Sequence, residues 1–376
     1  MECGKIRKSG VQLYNLTMAI ALPVITQGTM RPVYAQGPRS LSALKLLRIS
    51  VTDRCNLRCM YCMPQQGVDF APKSDTLSPD EIISVARAAV DVGVRHLKLT
   101  GGEPTVRHDL LEIVAGLAAL KPDDLSMTTN GLSLHRQAKQ LRDAGVDRLT
   151  ISWDAMQPAR LARVAGSATQ YDSPDVQRDR GLKLLEQLQQ GIDAAIAAGF
   201  DKLKINTVVI GNVNDDEVAD FARLTVENNW TVRFIEYMPL GESQLTDNYE
   251  QSPSTVDNAQ IIQRIEDVFG KIQPVDRQTE AGVGPAEVYQ IPNAAGRLGF
   301  ISAMSQPFCE TCNRLRLTAK GELRACLFDG GEVDLLPALR PTPDVKKLID
   351  LMQQCVLEKP QTHSMHGNRQ MSELGG

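Results

Sequence analysis

Six short, β-rich apolar runs recur between residues 46 and 238, and the stretches between them have helical character. They are LLRISVT (46–52), RHLKLT (95–100), LSMTT (125–129), RLTISW (148–153), LKINTVVI (203–210) and TVRFIEYM (231–238). Several are too continuously apolar for a sheet with one wet face, which predicts strands covered on both sides. Between the first two lies SPDEIISVARAAVDVG, which reads as a helix. Ser78 can cap it, Pro79 fits its first turn, Glu81 can close a capping box and Gly93 can end it. DLLEIVAGLAAL (109–120) and LKLLEQLQQGIDAAIAAG (182–199) also read as helices. Strands alternating with helices predict a parallel α/β sheet or barrel. Residues 155–181 read as a long polar loop, an insertion.

The residues that follow each run carry more information than the runs. After the first comes a cysteine triplet, after the second Gly101-Gly102-Glu103-Pro104, after the third Asn130-Gly131 and after the fourth Asp154; the last run ends in Glu236-Tyr237-Met238. In a parallel barrel, function gathers at the carboxyl ends of the strands. Any one of these residues is an ordinary turn former. In phase behind successive strands they predict one shared site above the barrel.

The 376 residues carry a net charge of −4, with 42% hydrophobic and 23% charged residues, ordinary values for a globular protein. No run of about 18 apolar residues occurs, and a mildly acidic total argues against a general nucleic-acid or membrane binder. From Cys3 to Thr52 there is no Asp or Glu, while Lys5, Arg7, Lys8, Arg31, Arg39, Lys45 and Arg48 are basic. Such a start resembles a secretory signal or a transit peptide; the alternatives are a disordered extension, or an overlong start with Met18 or Met30 as the true one. The expected divisions are an N-terminal extension over 1–40, a barrel over 41–245, a C-terminal segment over 246–360 and a flexible tail over 361–376.

The eight cysteines are too sparse for a disulfide scaffold, but six fall into two groups of three. Cys55, Cys59 and Cys62 are spaced C-x3-C-x2-C, which suits a soft metal centre. Structural zinc normally takes four ligands, and no fourth cysteine or histidine lies nearby. In a cubane iron–sulfur cluster, three cysteines leave one iron free for a small molecule. Reduced core cysteines and a zinc site completed from afar are the alternatives. The second group is Cys309, Cys312 and Cys326. RLRLTAKGELRAC between them reads as a hairpin turning at Lys320-Gly321, which would return Cys326 towards Cys312. Cys355 falls in a predicted helix and reads as a buried residue, although it is a conceivable fourth ligand. Cys3 lies in the leader.

Arg314 and Arg316 alternate beside the second triplet, on one face of the hairpin strand. That face is either solvated or an anion clamp. Arg48, Lys98, Lys204 and Arg233 lie on predicted barrel strands, where a cation is costly to bury alone. A polyanionic ligand in the barrel would offset that cost. There is no G-x-x-x-x-G-K-[ST], no H-E-x-x-H and no G-x-S-x-G, which argues against a P-loop NTPase, a zincin and a nucleophile-elbow hydrolase.

The C-x3-C-x2-C after a first strand, followed by GGEP, resembles the radical S-adenosylmethionine enzymes. LRISVTDRCNLRCMYCMP, KLTGGEPTVRHDL, TTNGL, ISWDAM, RFIEYMPLG, FCETCNRLRLTAKGELRACLF and the terminal MSELGG together resemble the GTP 3′,8-cyclases of molybdenum cofactor biosynthesis, over roughly residues 45–376. The resemblance implies an incomplete (βα)6 barrel of the TIM type with a C-terminal cluster-binding extension. It implies two 4Fe-4S clusters, one on Cys55, Cys59 and Cys62 and one on Cys309, Cys312 and Cys326. Tyr61, Gly102, Ser152 and Met238 match the family's S-adenosylmethionine contacts. Arg48, Lys98, Thr128, Lys204 and the Arg314-Leu315-Arg316 segment match its GTP contacts, with Arg233 a further candidate for the triphosphate. Gly375 and Gly376 match a catalytic tail. Lys98 stands where the family often has Arg, which keeps the charge and loses the bidentate fork.

The activity so implied is a lyase reaction. Reductive cleavage of S-adenosylmethionine yields a deoxyadenosyl radical, which takes hydrogen from ribose C3′ of GTP. The carbon radical then closes on C8 to give 3′,8-cyclo-7,8-dihydro-GTP. The implied partners are GTP, an external electron donor and a downstream cyclic pyranopterin monophosphate synthase. Neither nucleic acid nor membrane is expected; a homodimer is one option, and the sequence does not give the oligomeric state. The expected location is cytoplasmic, or the mitochondrial matrix if residues 1–40 are a transit peptide. Two other readings compete. One is another radical enzyme with an auxiliary cluster that modifies a peptide or protein. The other is a zinc- or cluster-stabilised binding module with no activity.

Overall fold

Each of the six runs forms a strand in the computed structural model, which describes residues 39–245, 255–276, 282–363, 367 and 369–375. They are β1 (Leu46–Ser50), β2 (His96–Thr100), β3 (Asp124–Thr129), β4 (Arg148–Ser152), β5 (Lys204–Val209) and β6 (Thr231–Glu236). The helices of this half are α1 (Pro79–Asp91), α2 (Leu110–Ala118), α3 (Leu134–Ala144), α4 (Pro158–Val164), α5 (Pro174–Ala197) and α6 (Val218–Glu227). Helix α1 starts as its sequence requires. The Ser78 hydroxyl accepts the Glu81 N–H at 3.2 Å, and the Glu81 carboxylate accepts the Ser78 N–H at 2.8 Å.

The C-terminal half contributes α7 (Asn258–Phe269), β7 (Gln273–Pro274), β8 (Glu287–Gln290), β9 (Arg297–Ile301), β10 (Arg314–Leu317), β11 (Glu322–Arg324), β12 (Glu332–Asp334), α8 (Leu336–Leu339), α9 (Val345–Leu357) and α10 (Met371–Leu374). All twelve strands lie in one sheet, in the order β12-β11-β10-β1-β2-β3-β4-β5-β6-β9-β8-β7. The run from β10 to β9 is parallel throughout, and short antiparallel pairs extend each end. This is the incomplete barrel expected. Its two parallel flanks, β9 and β10, both come from the C-terminal half, so that half continues the sheet on both sides.

The outward residues of the strands, such as Leu47, Leu97, Met127, Ile151, Ile205 and Phe234, are buried with the apolar faces of the helices in the main core. The expectation of strands covered on both sides needs refinement. The inward face is enclosed but carries Arg48, Lys98, Thr128, Lys204 and Arg233, so the strands alternate apolar-out and polar-in. The sequence reading of 155–181 as a loop is corrected. Helix α4 and the first turns of α5 occupy it, each with a proline in its first turn, and Ser173 caps α5 by accepting the Val176 N–H at 3.4 Å. Gly181 lies where a Cβ would come within 1.7 Å of the Pro158 carbonyl oxygen, so the two helices meet at backbone distance.

Cys355 is buried on α9, and its thiol donates to the Gly331 carbonyl at 2.7 Å, as expected of a core cysteine. The tail read as flexible contains α10, with Ser372 and Leu374 buried. Its sequence lacks an amphipathic period because only four residues are helical. The leader with Cys3, and Gly376, lie outside the described residues. Among the described residues no helix is long and apolar enough to cross a membrane.

Candidate active site

The strand register places the two cysteine triplets. Strand β10 runs parallel to β1, pairing Arg314 with Leu46 and Arg316 with Arg48. Cys55 follows the carboxyl end of β1, whereas Cys312 immediately precedes the amino end of β10, and the antiparallel β11 brings Cys326 back to that same end. The triplets therefore sit at opposite ends of β1, which spans about 13 Å at ~3.3 Å per residue. All six cysteines line one cavity of about 310 Å³, and all are reduced.

Between them lies a layer of cations. Arg316, Arg48 and Lys98 are register partners on three consecutive strands, so their stems project from neighbouring positions. Lys204 and Arg233 line the same cavity from β5 and β6. Lys98 Nζ donates to Thr150 Oγ1 at 3.2 Å, and Arg233 Nη2 approaches the same oxygen at 3.4 Å. Burial, and then the Arg316, Arg314 and Arg233 guanidiniums, push the Arg48 pKa well down. Burial, and then Arg233, Arg48, Arg148 and Lys204, do the same to Lys98. Arg316 is brought down to about 9 by burial and then by Arg314. An arginine does not shed its proton in a protein, so these directions reflect burial and the crowding of like charges. A polyanion offsets that crowding. Asp124 holds Arg148 through two hydrogen bonds of 2.6 Å.

The expected residues divide as follows. Tyr61, Gly102, Ser152 and Met238 line the cavity at the first triplet's end, and Thr128, Arg314 and Arg316 line it further down. Thr128 Oγ1 is buried with no protein partner. Leu315 does not face the cavity. It sits on the opposite side of β10, pairs with Leu47 and packs in the core, because a strand alternates its side chains. Gly102 is required by backbone contact, since a Cβ there would lie 2.4 Å from the Arg54 carbonyl oxygen. Gly375 occupies φ +70 between the ends of β1 and β2, and its carbonyl accepts from Arg316 Nη1 at 3.5 Å.

The structure gives partners to several residues that the sequence left without a role. The Tyr61 hydroxyl donates to Asp154 Oδ2 at 2.9 Å, and burial raises the Asp154 carboxyl to about 6. Buried Glu103 binds the turn after β2 to the end of β3, accepting from the Thr105 and Thr129 hydroxyls and from the Asn130 N–H. Buried Glu236 accepts the N–H groups of Met304 and Ser305 at 2.8 and 3.0 Å and so ties β6 to the chain leading to the second triplet. Asp154, Glu103 and Glu236 stand at the strand ends where the sequence suggested a site, but their partners were not visible there. Lys359 and His363 had no signal at all. Lys359 Nζ donates to the Cys312 carbonyl at 2.5 Å, and His363 stacks on Phe328 with ring centroids 4.1 Å apart.

The thiols of the two triplets differ. Burial pushes Cys55 up to about 11 and Cys62 up to about 12. Burial also opposes ionisation of Cys312, but Arg314 and Lys359 bring it down to about 7. Among the described residues no three His, Cys, Asp or Glu side chains converge on a single-ion site. A zinc ion needs its ligands on one point. An iron–sulfur cluster distributes its thiolates over separate irons, so three cysteines spread around a common space suit it.

A profile of the Radical SAM superfamily matches residues 49–225, and one described as Molybdenum Cofactor Synthesis C matches residues 230–365. The chain is 41% identical over 338 residues to a GTP 3′,8-cyclase of Pelotomaculum thermopropionicum, covering 89% of this chain and 98% of that protein. It is also 41% identical over 349 residues to one from a Cyanothece species, covering 89% and 100%. With one from Listeria monocytogenes it shares 38% identity over 343 residues, covering 88% and 96%. The solved structure of Streptococcus suis SuiB bound to S-adenosylmethionine aligns at a TM-score of 0.49 and 15% identity, over 83% of this chain and 66% of that one. The chain belongs to the GTP 3′,8-cyclase family of the radical S-adenosylmethionine superfamily.

Proposed function

We propose that this chain converts GTP to 3′,8-cyclo-7,8-dihydro-GTP with S-adenosylmethionine, the first step of molybdenum cofactor biosynthesis. One observation carries the reading: the register that sets Arg316, Arg48 and Lys98 side by side, between two cysteine triplets, in a single cavity. On this reading Cys55, Cys59 and Cys62 hold one 4Fe-4S cluster, and Cys309, Cys312 and Cys326 hold another. When bound, the first cluster supplies the electron that opens S-adenosylmethionine.

The chain's own residues bind and orient. Tyr61, Gly102, Ser152 and Met238 receive S-adenosylmethionine. Arg48, Lys98, Lys204, Arg233, Arg314 and Arg316 take the triphosphate by charge-assisted hydrogen bonds, and Thr128 offers its hydroxyl to the nucleoside. Leu315 contributes through its backbone. Gly375, with Gly376 beyond the described residues, closes the site against water. Residues 41–245 form the barrel unit and 246–360 the unit that brings the second cluster. An external donor supplies electrons, and a cyclic pyranopterin monophosphate synthase takes the product.

The test is anaerobic incubation of reconstituted, reduced protein with S-adenosylmethionine, with and without GTP, and with iron and sulfide counted in the same sample. About eight irons per chain and GTP-dependent deoxyadenosine release are expected from two four-iron clusters. Release unchanged by GTP refutes the cyclase reading.

A further inference from the structure

The residues between the first three cysteines are held at several points by one segment, Asp154–Gly166, in addition to the Gln244 and Asn130 side chains, which donate to the Arg58 carbonyl at 3.2 Å and to Asn56 Oδ1 at 2.7 Å. At its start, Asp154 accepts the Tyr61 hydroxyl on one oxygen at 2.9 Å and the Val208 N–H on the other at 2.8 Å. At its end, the Val164 carbonyl accepts the Met60 N–H at 2.9 Å, and the Ala165 carbonyl accepts the Arg58 N–H at 3.1 Å. Gly166 follows at φ +68, where a Cβ would come within 2.0 Å of the Arg58 carbonyl oxygen. Only glycine allows the two backbones to lie that close. Residues 58, 60 and 61 flank Cys59 and lead into Cys62, so the three anchors fall within four residues of the triplet.

Besides its packing on α5 and the Asn214 amide, which donates to the Asp154 carbonyl at 2.6 Å, the segment is held by a buried carboxylate. Glu217, just ahead of α6, is 2% exposed and does not line the cavity. Its two oxygens accept the Met156 N–H at 2.8 Å and the Gln157 N–H at 3.0 Å. Arg160 Nη1 lies 2.9 Å from Oε1, and the same guanidinium reaches Asp216 at 2.7 Å. Removing the carboxylate would take away the acceptor of two N–H groups at the start of α4, and the end of α4 carries the carbonyls that hold the cysteine loop.

We infer that Glu217 is a positioning residue for the first cysteine triplet: it fixes α4, and α4 fixes the loop in its ligand-ready shape before any metal arrives. This rests on the proposed reading of Cys55, Cys59 and Cys62 as cluster ligands. The polar stretch that looked like an insertion is then the loop's brace.

Hydrogen exchange of the metal-free full chain tests the brace without any cluster. The amides of Arg58 and Met60 should be protected in the wild type. They should exchange about tenfold faster in Glu217→Ala, the equivalent of one buried hydrogen bond. Glu217→Gln should fall between, because its amide keeps one acceptor oxygen and turns a donor towards the other N–H. The amides of β3 and the melting temperature serve as controls. A second arm counts iron. With Cys309, Cys312 and Cys326 replaced by Ala, Glu217→Ala should lose iron to a chelator about tenfold faster. With Cys55, Cys59 and Cys62 replaced instead, it should change nothing. Unaltered exchange at Arg58 and Met60, equal acceleration in β3, or equal iron loss from both triplets would each overturn the inference. A wild-type chain that takes up no iron at the first triplet, yet shows the exchange difference, would sink the cluster reading and leave the brace standing.

Discussion

Gly375→Ala tests how the tail is seated. At φ +70, an alanine pays roughly 1–2 kcal/mol of left-handed backbone strain. Its Cβ would also lie 2.4 Å from Thr100 Oγ1 and 2.9 Å from Ser50 Cβ. Neither neighbour can move away freely. Both belong to paired strands, and the Thr100 hydroxyl donates to the Ile49 carbonyl at 3.3 Å. Overpacking of this kind costs about 1–3 kcal/mol. Together these terms disfavour the seated tail by roughly 2–5 kcal/mol, about 30- to 4,000-fold in population. The buried Leu374 side chain, which contributes about 2 kcal/mol to seating, leaves with it. The barrel strands and the six cysteines are unaltered, so iron content should match the wild type and melting temperature should fall by only a few degrees. GTP-dependent deoxyadenosine release should fall by a factor in that range, and carboxypeptidase should trim the tail faster. Thr100→Ala in the same chain removes the nearest obstructing atom and should restore part of the activity. Full turnover and unchanged trimming in Gly375→Ala would refute the seating described.

Three further substitutions check the electrostatics and the core. Lys98→Met should raise the KM for GTP about 10- to 100-fold, the loss of one charge-assisted hydrogen bond. Burial and like charges lower the Lys98 pKa, so the same variant should be more stable to urea than wild type without GTP and lose that advantage with it. The Asp154 carboxyl, raised by burial from the usual 3.8 to about 6, binds a proton in the folded chain before it does in the unfolded one. Stability of the metal-free protein should therefore fall as pH rises through that window, by about 3 kcal/mol at ~1.4 kcal/mol per pH unit. Urea titrations of Asp154→Asn should lack that slope, and an identical pH profile would sink the assignment. Cys355→Ala should leave the iron count unchanged and cost about 1 kcal/mol of stability, since the thiol fills core space next to the Gly331 carbonyl. Loss of four irons would instead make Cys355 a ligand.

Much of the molecule was legible in the chain because its signals are local. Six strands and the first helix follow from apolar runs, a capping box and a terminal glycine, all of which act within a few residues. The hairpin at Lys320-Gly321 is equally local, with Gly321 at φ +91 in the turn between β10 and β11. The cysteine spacings, the glycine-rich turns and the cations on barrel strands all marked the site. Residues 155–181 misled because α4 is short and buries its face against α5, so it needs no long amphipathic stripe, and only the polar first turns of the long α5 fall in that stretch.

Non-local pairing decided the remainder. No spacing rule says that β10 lies parallel to β1, yet that register sets Arg316 beside Arg48 and sends the two triplets to opposite ends of one strand. It also turns Leu315 away from the cavity, because a strand alternates its faces. Buried carboxylates such as Glu217 and Glu236 find their partners through chain segments about 60 to 70 residues distant. Alone, the sequence determined the elements and the chemistry they carry, since these depend on neighbours within a turn or two. Which cation faces which thiol, and what braces the loop between them, came only from tertiary contacts that no local pattern records.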